Sequence, residues 1–365
     1  MLHERSVIER VRVSAFRIPT DFPESDGTAE WHATTLVLVE LAGGGARGLG
    51  YTYADAATAA YIRDILAPVV EGVDPLANGA LWARLAGEVR NSGRPGIASM
   101  AISAVDNAVW DLKARIFGVP LCTLLGIVRT RVPVYGSGGF TSYPLRRLQD
   151  QTAGWVTAGI PRVKIKIGRD ASADVARVRA VRAAIGPDAE LFVDANGAYT
   201  IKQALDFAER FVDDRVSWFE EPVYHRDFAG MRFVRERAPA VMEVASGEYG
   251  YDPGHFAAMI AAGTIDVLQA DATRCEGITG LMMADALCEA HNLPLSTHCA
   301  PAQHAHAAAA AKRLRHIEYF HDHVRIENML FDGVLQPVDG ALEPDLSRPG
   351  NGLEFKAADA QRYAL

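Results

Sequence analysis

The chain has 365 residues, a formal net charge of −8, 49% hydrophobic residues and 22% charged residues. That length accommodates two domains or one large barrel with an addition. The acidic balance argues against a general nucleic-acid binder, which needs a basic field, and no uninterrupted apolar run approaches the ~20 residues of a membrane span.

The start, Met1 to Ser6, is charged and lacks an apolar core with a cleavage site, so it does not read as a secretory signal. The four cysteines, Cys122, Cys275, Cys288 and Cys299, show no CxxC spacing and read as reduced thiols. The expectation is a cytoplasmic protein without a nucleic-acid or membrane partner. Residues 7–18 and 34–41 carry β-branched runs and predict two strands. Between them, residues 19–32 read as a polar, acidic loop tipped by Phe22 and Trp31, of a length often found in lids. Gly43-Gly44-Gly45 predicts a turn and residues 48–53 a third strand. This glycine cluster does not open a helix, which argues against a phosphate-binding fingerprint. Three helices follow, over about 55–70, 76–89 and from Pro95-Gly96 to Gly118-Val119-Pro120. The last carries Met100, Ala104, Ala108, Leu112 and Ile116 on one face.

From Val132 the pattern alternates strand and helix. Predicted strands are 132–137, 163–167, 191–194, 218–220, 242–246, 267–270, 295–298 and 317–320. Asp170, Thr200 and Asp252-Pro253 open helices between them, and Gly186 and Gly263 close two. Eight strands with crossovers about every 25 residues match a (β/α)-barrel. The fold class expected is α/β, a (β/α)7β-type modified TIM barrel with an N-terminal α+β capping domain. Its divisions are residues 1–127 for the cap, 128–327 for the barrel and 328–365 for a segment returning to the cap.

In Val163-Lys164-Ile165-Lys166-Ile167 the two lysines share one face of a strand. Facing into a site, each would lower the other's pKa, which is how a lysine becomes a base near neutral pH; a solvated edge strand is the bland alternative. Barrel active sites lie at the C-terminal ends of the strands. There the sequence places Lys164 and Lys166, then Asp194 and Asn196, Glu220, Glu248, Asp271, His298 and Glu318. One ionisable group per βα unit aims them all at one mouth. Asp194, Glu220 and Glu248 would converge as three carboxylates, which a divalent cation stabilises. All-oxygen ligation suits Mg²⁺, with Mn²⁺ as a substitute. A network with lysines or arginines is the alternative. Asp271 and His298 end neighbouring strands, where a carboxylate fixes the imidazole tautomer and raises its basicity. Of the other histidines, His304 and His306 read as structural, while His321 and His323 lie just past the last strand.

Lys164-x-Lys166, Val193-Asp194-Ala195-Asn196, Trp218-Phe219-Glu220-Glu221-Pro222, Ser246-Gly247-Glu248, Gln269-Ala270-Asp271, Thr297-His298 and Ile317-Glu318 together resemble the enolase superfamily, mandelate racemase subgroup. The resemblance spans nearly the whole chain. It implies that Asp194, Glu220 and Glu248 bind Mg²⁺. Lys166 then moves a proton on one face of the substrate α-carbon, and His298, oriented by Asp271, acts on the other. It further implies that Lys164 contacts the substrate carboxylate and lowers the Lys166 pKa. Glu318 would donate a hydrogen bond to the same carboxylate, which requires it protonated, and Glu221 would support the ligand Glu220. The partner is a small carboxylate, and homo-oligomers are common in the family.

Removing a proton beside a carboxylate makes a dianionic enediolate, which a metal and a lysine stabilise and which can expel a β-hydroxyl or be reprotonated from the other face. Asp21, Glu24, Ser25, Asp26, Glu30 and His32 give the predicted lid hydrogen-bonding groups suited to a polyhydroxylated substrate. Dehydration of an acid sugar is therefore the expected reaction. Racemisation or epimerisation of an α-substituted carboxylate is the alternative, cycloisomerisation the third, and a non-catalytic ligand-binding barrel the reading from a different class. Trp31, His32, Tyr51, Asn196 and Arg274 are candidate substrate contacts. Arg274 alternatively pairs with a barrel carboxylate, and Tyr53 and Arg94 are weaker candidates from the cap.

Overall fold

The computed structural model describes residues 7–365; the first six, including the predicted non-signal start, lie outside the described residues. The cap begins with a three-stranded antiparallel sheet of β1 (Ile8–Ser25), β2 (Glu30–Gly43) and β3 (Ala46–Tyr53). Here the structure corrects the sequence reading. Residues 19–32 form no long loop, because β1 and β2 continue as a hairpin to Ser25 opposite Glu30, past an irregularity between Pro19 and Glu24. Alternation is broken at that irregularity, so the polar composition hid the strand.

The cap helices are a helical stretch over 57–70 whose middle turn, Ile62–Leu66, is π-helical, then α1 (Asn78–Glu88) and α2 (Ile97–Phe117). The apolar face of α2 lies directly on β3. A Cβ at Gly50 would stand 2.3 Å from the Ala108 nitrogen, so this close approach requires glycine. Ala104, Ala108 and Leu112 are fully buried there with Val37, Val39 and Ile62.

Eight parallel strands close the barrel: β4 (Val132–Gly138), β5 (Arg162–Lys166), β6 (Glu190–Asp194), β7 (Val216–Glu220), β8 (Glu243–Ser246), β9 (Val267–Ala270), β10 (Leu295–Thr297) and β11 (Leu314–Phe320). Neighbours pair in chain order, and β11 pairs with β4 to complete the ring. The connecting helices are α3 (Leu145–Thr157), α4 (Ala171–Ile185), α5 (Ile201–Arg210), α6 (Phe228–Arg235), α7 (Pro253–Ala262), α8 (Gly277–Ala290) and α9 (Pro301–Ala310). An eighth, α10 (His321–Leu330), follows β11 directly. Several starts follow from local chemistry. Asp170 accepts the Ser172 amide, Thr200 makes a capping box with Gln203, and Asp252 precedes Pro253 and accepts the His255 amide. Inside the barrel, Tyr135, Phe192 and Trp218 fill the lumen with Ala245 and Val267, so the barrel is a packed core.

The cap and barrel meet at the mouth. The hairpin tip docks on the loop after β4, where the Thr141 amide donates to the Ser25 carbonyl at 2.8 Å and the two hydroxyls lie 2.6 Å apart. Trp31 and Phe22 pack edge-on against Phe140 and Tyr143. The chain end returns to the cap, where Phe16 bridges to Ala364. No helix among the described residues is long and apolar enough to cross a membrane.

Candidate active site

The ends of β5 to β11 place their ionisable groups around one axis. Lys166 Nζ donates to Asp194 Oδ2 at 2.5 Å, and Asp194 Oδ1 accepts the Asn196 amide at 2.8 Å. Lys164 Nζ is fully buried between Glu220, at 2.7 and 2.8 Å, and Glu318 at 2.7 Å. Ligand atoms of Asp194, Glu220 and Glu248 lie within 4.8 Å of one another, and all three residues are buried. Across the mouth, His298 Nδ1 lies 2.8 Å from Asp271 Oδ2. That pairing leaves Nε2 facing Glu248 Oε2 at 3.3 Å and the Cys299 thiol at 3.2 Å.

The electrostatics follow from burial and from these partners. Burial and then the Asp194 charge push Glu220 up to about 8. Burial also raises Glu248, but His298 and Arg274 outweigh it and hold it down at about 2. Glu221, buried behind Glu220 and accepting from the Ser246 hydroxyl, is raised well above the carboxylate range by burial and by Glu248. Burial opposes ionisation of Asp271 too, yet the hydrogen bond and charge of His298 hold its carboxyl well down.

Two expectations are corrected here. Lys166 has a raised pKa, not a lowered one. Burial and the Lys164 charge lower it, but the Asp194 carboxylate in contact outweighs both. Glu318 is held ionised, not protonated. Burial is overcome by Lys164 and His298, and the side chain accepts from the Ser137 hydroxyl, Lys164 and the Cys299 amide. Both of its oxygens accept hydrogen bonds.

A cavity of about 370 Å³ opens over these groups, within the size range of small-molecule sites. Lys166, Asn196, Glu248, Asp271, Arg274 and His298 line its barrel side, and Trp31 lines its cap side. Lys164, Asp194, Glu220 and Glu318 lie beneath the wall. Lys164 is therefore placed as the counter-ion of two carboxylates, not at the cavity surface. Two candidate contacts are corrected. Tyr51 is fully buried in the cap, its hydroxyl donating to Glu327 Oε1 at 2.6 Å. The His32 side chain is 71% exposed beside Glu30, on the outer face of the hairpin. Strand alternation sends neighbouring Trp31 inward and His32 outward. Of the other predicted lid groups only Asp26 lines the cavity. Glu24 turns into the interior and accepts from Trp31 Nε1 at 2.8 Å, with burial and Asp322 pushing it up to about 9. Arg94 pairs with Glu276, away from the cavity.

Arg274 does both things weighed for it. It lines the cavity, and it pairs with Glu248 and Asp271 at 3.6 and 3.8 Å. His304 is structural, accepting the Ala272 amide at Nε2 and bonding the Cys299 and Ala300 carbonyls through Nδ1. Those two residues have φ of +49° and +41°, a left-handed pair directly after His298 that this histidine braces. His323 stacks on Tyr53 with ring centres 3.4 Å apart, and both line the cavity. Sequence reading missed Thr34, Thr35, Asp55, Tyr249 and Phe320. Tyr249 directly follows Glu248, a signal that position alone carries; the cap residues had none.

The donor set fits a hard divalent cation. Three buried carboxylates on adjacent strands supply oxygen only, and Glu248 Oε2 is buried without a hydrogen-bond partner among the described residues. Comparison with known proteins now decides the family. A model of the mandelate racemase / muconate lactonizing enzyme N-terminal domain matches residues 10–126, and the enolase C-terminal domain-like model matches residues 147–360. The chain belongs to the mandelate racemase subgroup of the enolase superfamily. Within this subgroup it is 54% identical, with a TM-score of 0.96, to the crystal structure of a mandelate racemase/muconate lactonizing enzyme-like protein from Rubrobacter xylanophilus, covering 98% of this chain and 100% of that one. It is 32% identical to the 3,6-anhydro-alpha-L-galactonate cycloisomerase of Streptomyces coelicolor, over 98% of this chain and 100% of that protein. It is 30% identical to the L-talarate/galactarate dehydratase of Salmonella typhimurium, over 92% and 86% of the two chains. A variant of an L-talarate/galactarate dehydratase holding magnesium and L-glucarate superposes with a TM-score of 0.91 at 28% identity, covering 99% and 92%. Relatives of this chain in the enolase superfamily include acid-sugar dehydratases, cycloisomerases and epimerases.

Proposed function

We propose that this protein removes the proton alpha to the carboxylate of an acid sugar and then expels the β-hydroxyl, acting as a dehydratase. The observation that carries the reading is the convergence of Lys166 and the His298–Asp271 pair on one cavity, beside three buried carboxylates. Asp194, Glu220 and Glu248 would hold Mg²⁺, and the same all-oxygen set accepts Mn²⁺. When bound, the ion supplies positive charge that stabilises the carboxylate oxygens as the α-carbon loses its proton.

The chain's own residues account for the proton movements. Lys166 Nζ accepts the α-proton on one face, and it is competent as a base when Asp194 is engaged by another cation. Lys164 keeps Glu220 and Glu318 compensated, so the site holds its shape through the charge change. Asp271 accepts the Nδ1 proton of His298 and directs Nε2 to the other face. As the Cα–H bond breaks, its electrons pass onto the carboxylate to give an enediolate, and they return to form the Cα=Cβ bond when the leaving group departs. The Cβ–O bond breaks, and the hydroxyl leaves as water with a proton from His298. The enol then becomes the 2-keto-3-deoxy acid.

Racemisation is the second reading, favoured by the same placement of bases on both faces. Cycloisomerisation begins with the same proton removal and is favoured by the full-length relative of that activity. The test is α-proton exchange in D₂O over an acid-sugar library with Mg²⁺. A 2-keto-3-deoxy product establishes dehydration, exchange without net product establishes racemisation, and absence of exchange on every acid sugar rejects the proposal.

A further inference from the structure

The wall of the cavity facing the barrel comes from the cap, and its charge is one-sided. Its titratable acids are Asp26, at the hairpin tip, and Asp55, just after β3; the other polar groups there are Thr34, Thr35 and Tyr53. Both acids are held in place. Asp26 Oδ1 accepts the Thr28 and Ala29 amides at 2.6 and 2.7 Å, and Asp55 Oδ1 accepts the Ala57 amide at 2.8 Å. Neither carboxylate forms an ion pair, and neither Oδ2 has a hydrogen-bond partner, among the described residues. The tip is tied to the barrel: Thr141 donates to the Ser25 carbonyl through its amide and to the Asp26 carbonyl through its hydroxyl, and Gly27 packs where a Cβ would stand 2.3 Å from the Ala195 carbonyl oxygen.

The cations of the cavity come from the barrel side, and each is engaged there. Lys166 bonds Asp194, His298 bonds Asp271, and Arg274 donates to the Glu248 carbonyl at 3.2 Å while pairing with Glu248 and Asp271. His323 spends Nδ1 accepting the Ala300 amide and its face on Tyr53. A substrate with its reacting carboxylate at the catalytic end points its tail at the cap wall. A second carboxylate there meets the Asp26 and Asp55 carboxylates, while the cations of the cavity stand on the opposite, barrel wall. Like charges placed together in a partly desolvated site are a repulsive specificity element. Hydroxyl groups instead donate to the open Oδ2 atoms.

We infer that the site selects monocarboxylic acid sugars with hydroxylated tails and rejects dicarboxylic ones, with Asp26 and Asp55 as the specificity-determining residues. This rests on the acid-sugar reading of the site above. The test measures α-proton exchange and turnover by the full chain with Mg²⁺ on three series: aldonates, the matching aldarates, and dipeptides with a free amino terminus. Aldonates are expected to exceed aldarates in kcat/KM by roughly 10-fold or more. Asp26→Asn and Asp55→Asn should each narrow that ratio, chiefly through a lower KM for aldarates. Asp26→Asn keeps the turn, since its amide oxygen still accepts from Thr28 and Ala29. Added salt should narrow the wild-type ratio as well. Aldarates preferred by the wild type, or a ratio that neither variant moves, overturns the inference and leaves the acid-sugar reading standing. Preference for the dipeptides shows that the acids select a cationic tail and overturns both, as does absence of exchange in all three series.

Discussion

Lys164 and Lys166 stand two residues apart on one strand and have unequal surroundings. Lys166 reaches the cavity against Asp194, whereas Lys164 is enclosed between Glu220 and Glu318. Substitution should separate them. Lys166→Ala and His298→Asn should each lower kcat by roughly 10²- to 10⁴-fold while the chain still folds, read by its circular dichroism. Lys164→Ala leaves two buried carboxylates without their cation and should destabilise the fold by about 3–5 kcal/mol, read as a lowered denaturation midpoint. Asp194→Asn should abolish a Mg²⁺-dependent rise in melting temperature that the wild type shows, since an ion bound only by the folded state stabilises it by mass action. EDTA should silence turnover and Mg²⁺ restore it. At this scale the strand-end residues were legible because each motif occupies the same phase of a repeating unit. Their protonation was not, because it depends on contacts: Glu318 is ionised by Lys164, which comes from a strand several units away.

At the scale of elements, the hairpin of β1 and β2 joins cap to site. Its tip rests on backbone oxygens just after β5 and β6, and a Cβ on Gly27 would lie 2.3 Å from the Ala195 oxygen and 2.8 Å from the Ile167 oxygen. Gly27→Ala should therefore lift the tip, at about 1–3 kcal/mol of strain. The expected readout is a raised KM with a smaller change in kcat, because the tip carries Asp26 and the hairpin carries Trp31, while the bases are on the barrel. The eight barrel strands and the long cap helix were readable from periodicity. The hairpin was not. Its acids and prolines look like a loop, and Glu24 is tolerated in the interior only because Trp31 Nε1 donates to it and it carries a raised pKa.

For the molecule as a whole, the contact between cap and barrel includes a buried acid. Glu327 on α10 accepts the Tyr51 hydroxyl from β3 and the Ala302 amide at the start of α9. Burial raises it to about 8 against those hydrogen bonds. The folded state thus keeps a proton that the unfolded chain releases near its ordinary value of about 4.3. Its contribution to stability is fully present below that value and is lost as pH rises to about 8. Glu327→Gln can donate to the Tyr51 oxygen and accept from Ala302, imitating the protonated acid. The variant should melt at a higher temperature than the wild type at pH 9 and at a similar one at pH 5. The barrel, the cap and the strand-end set from Lys164 to Glu318 were legible before folding, because they depend on periodicity and on one ionisable residue per repeating unit. Which cap residues face the cavity depends on the docking of cap on barrel. That docking set Asp26 and Trp31 on the cavity wall and added Asp55, turned His32 to solvent and buried Tyr51 against Glu327. The physical reason is that these positions are set by how one domain docks on the other, and side-chain alternation along the hairpin reverses with a single residue of register.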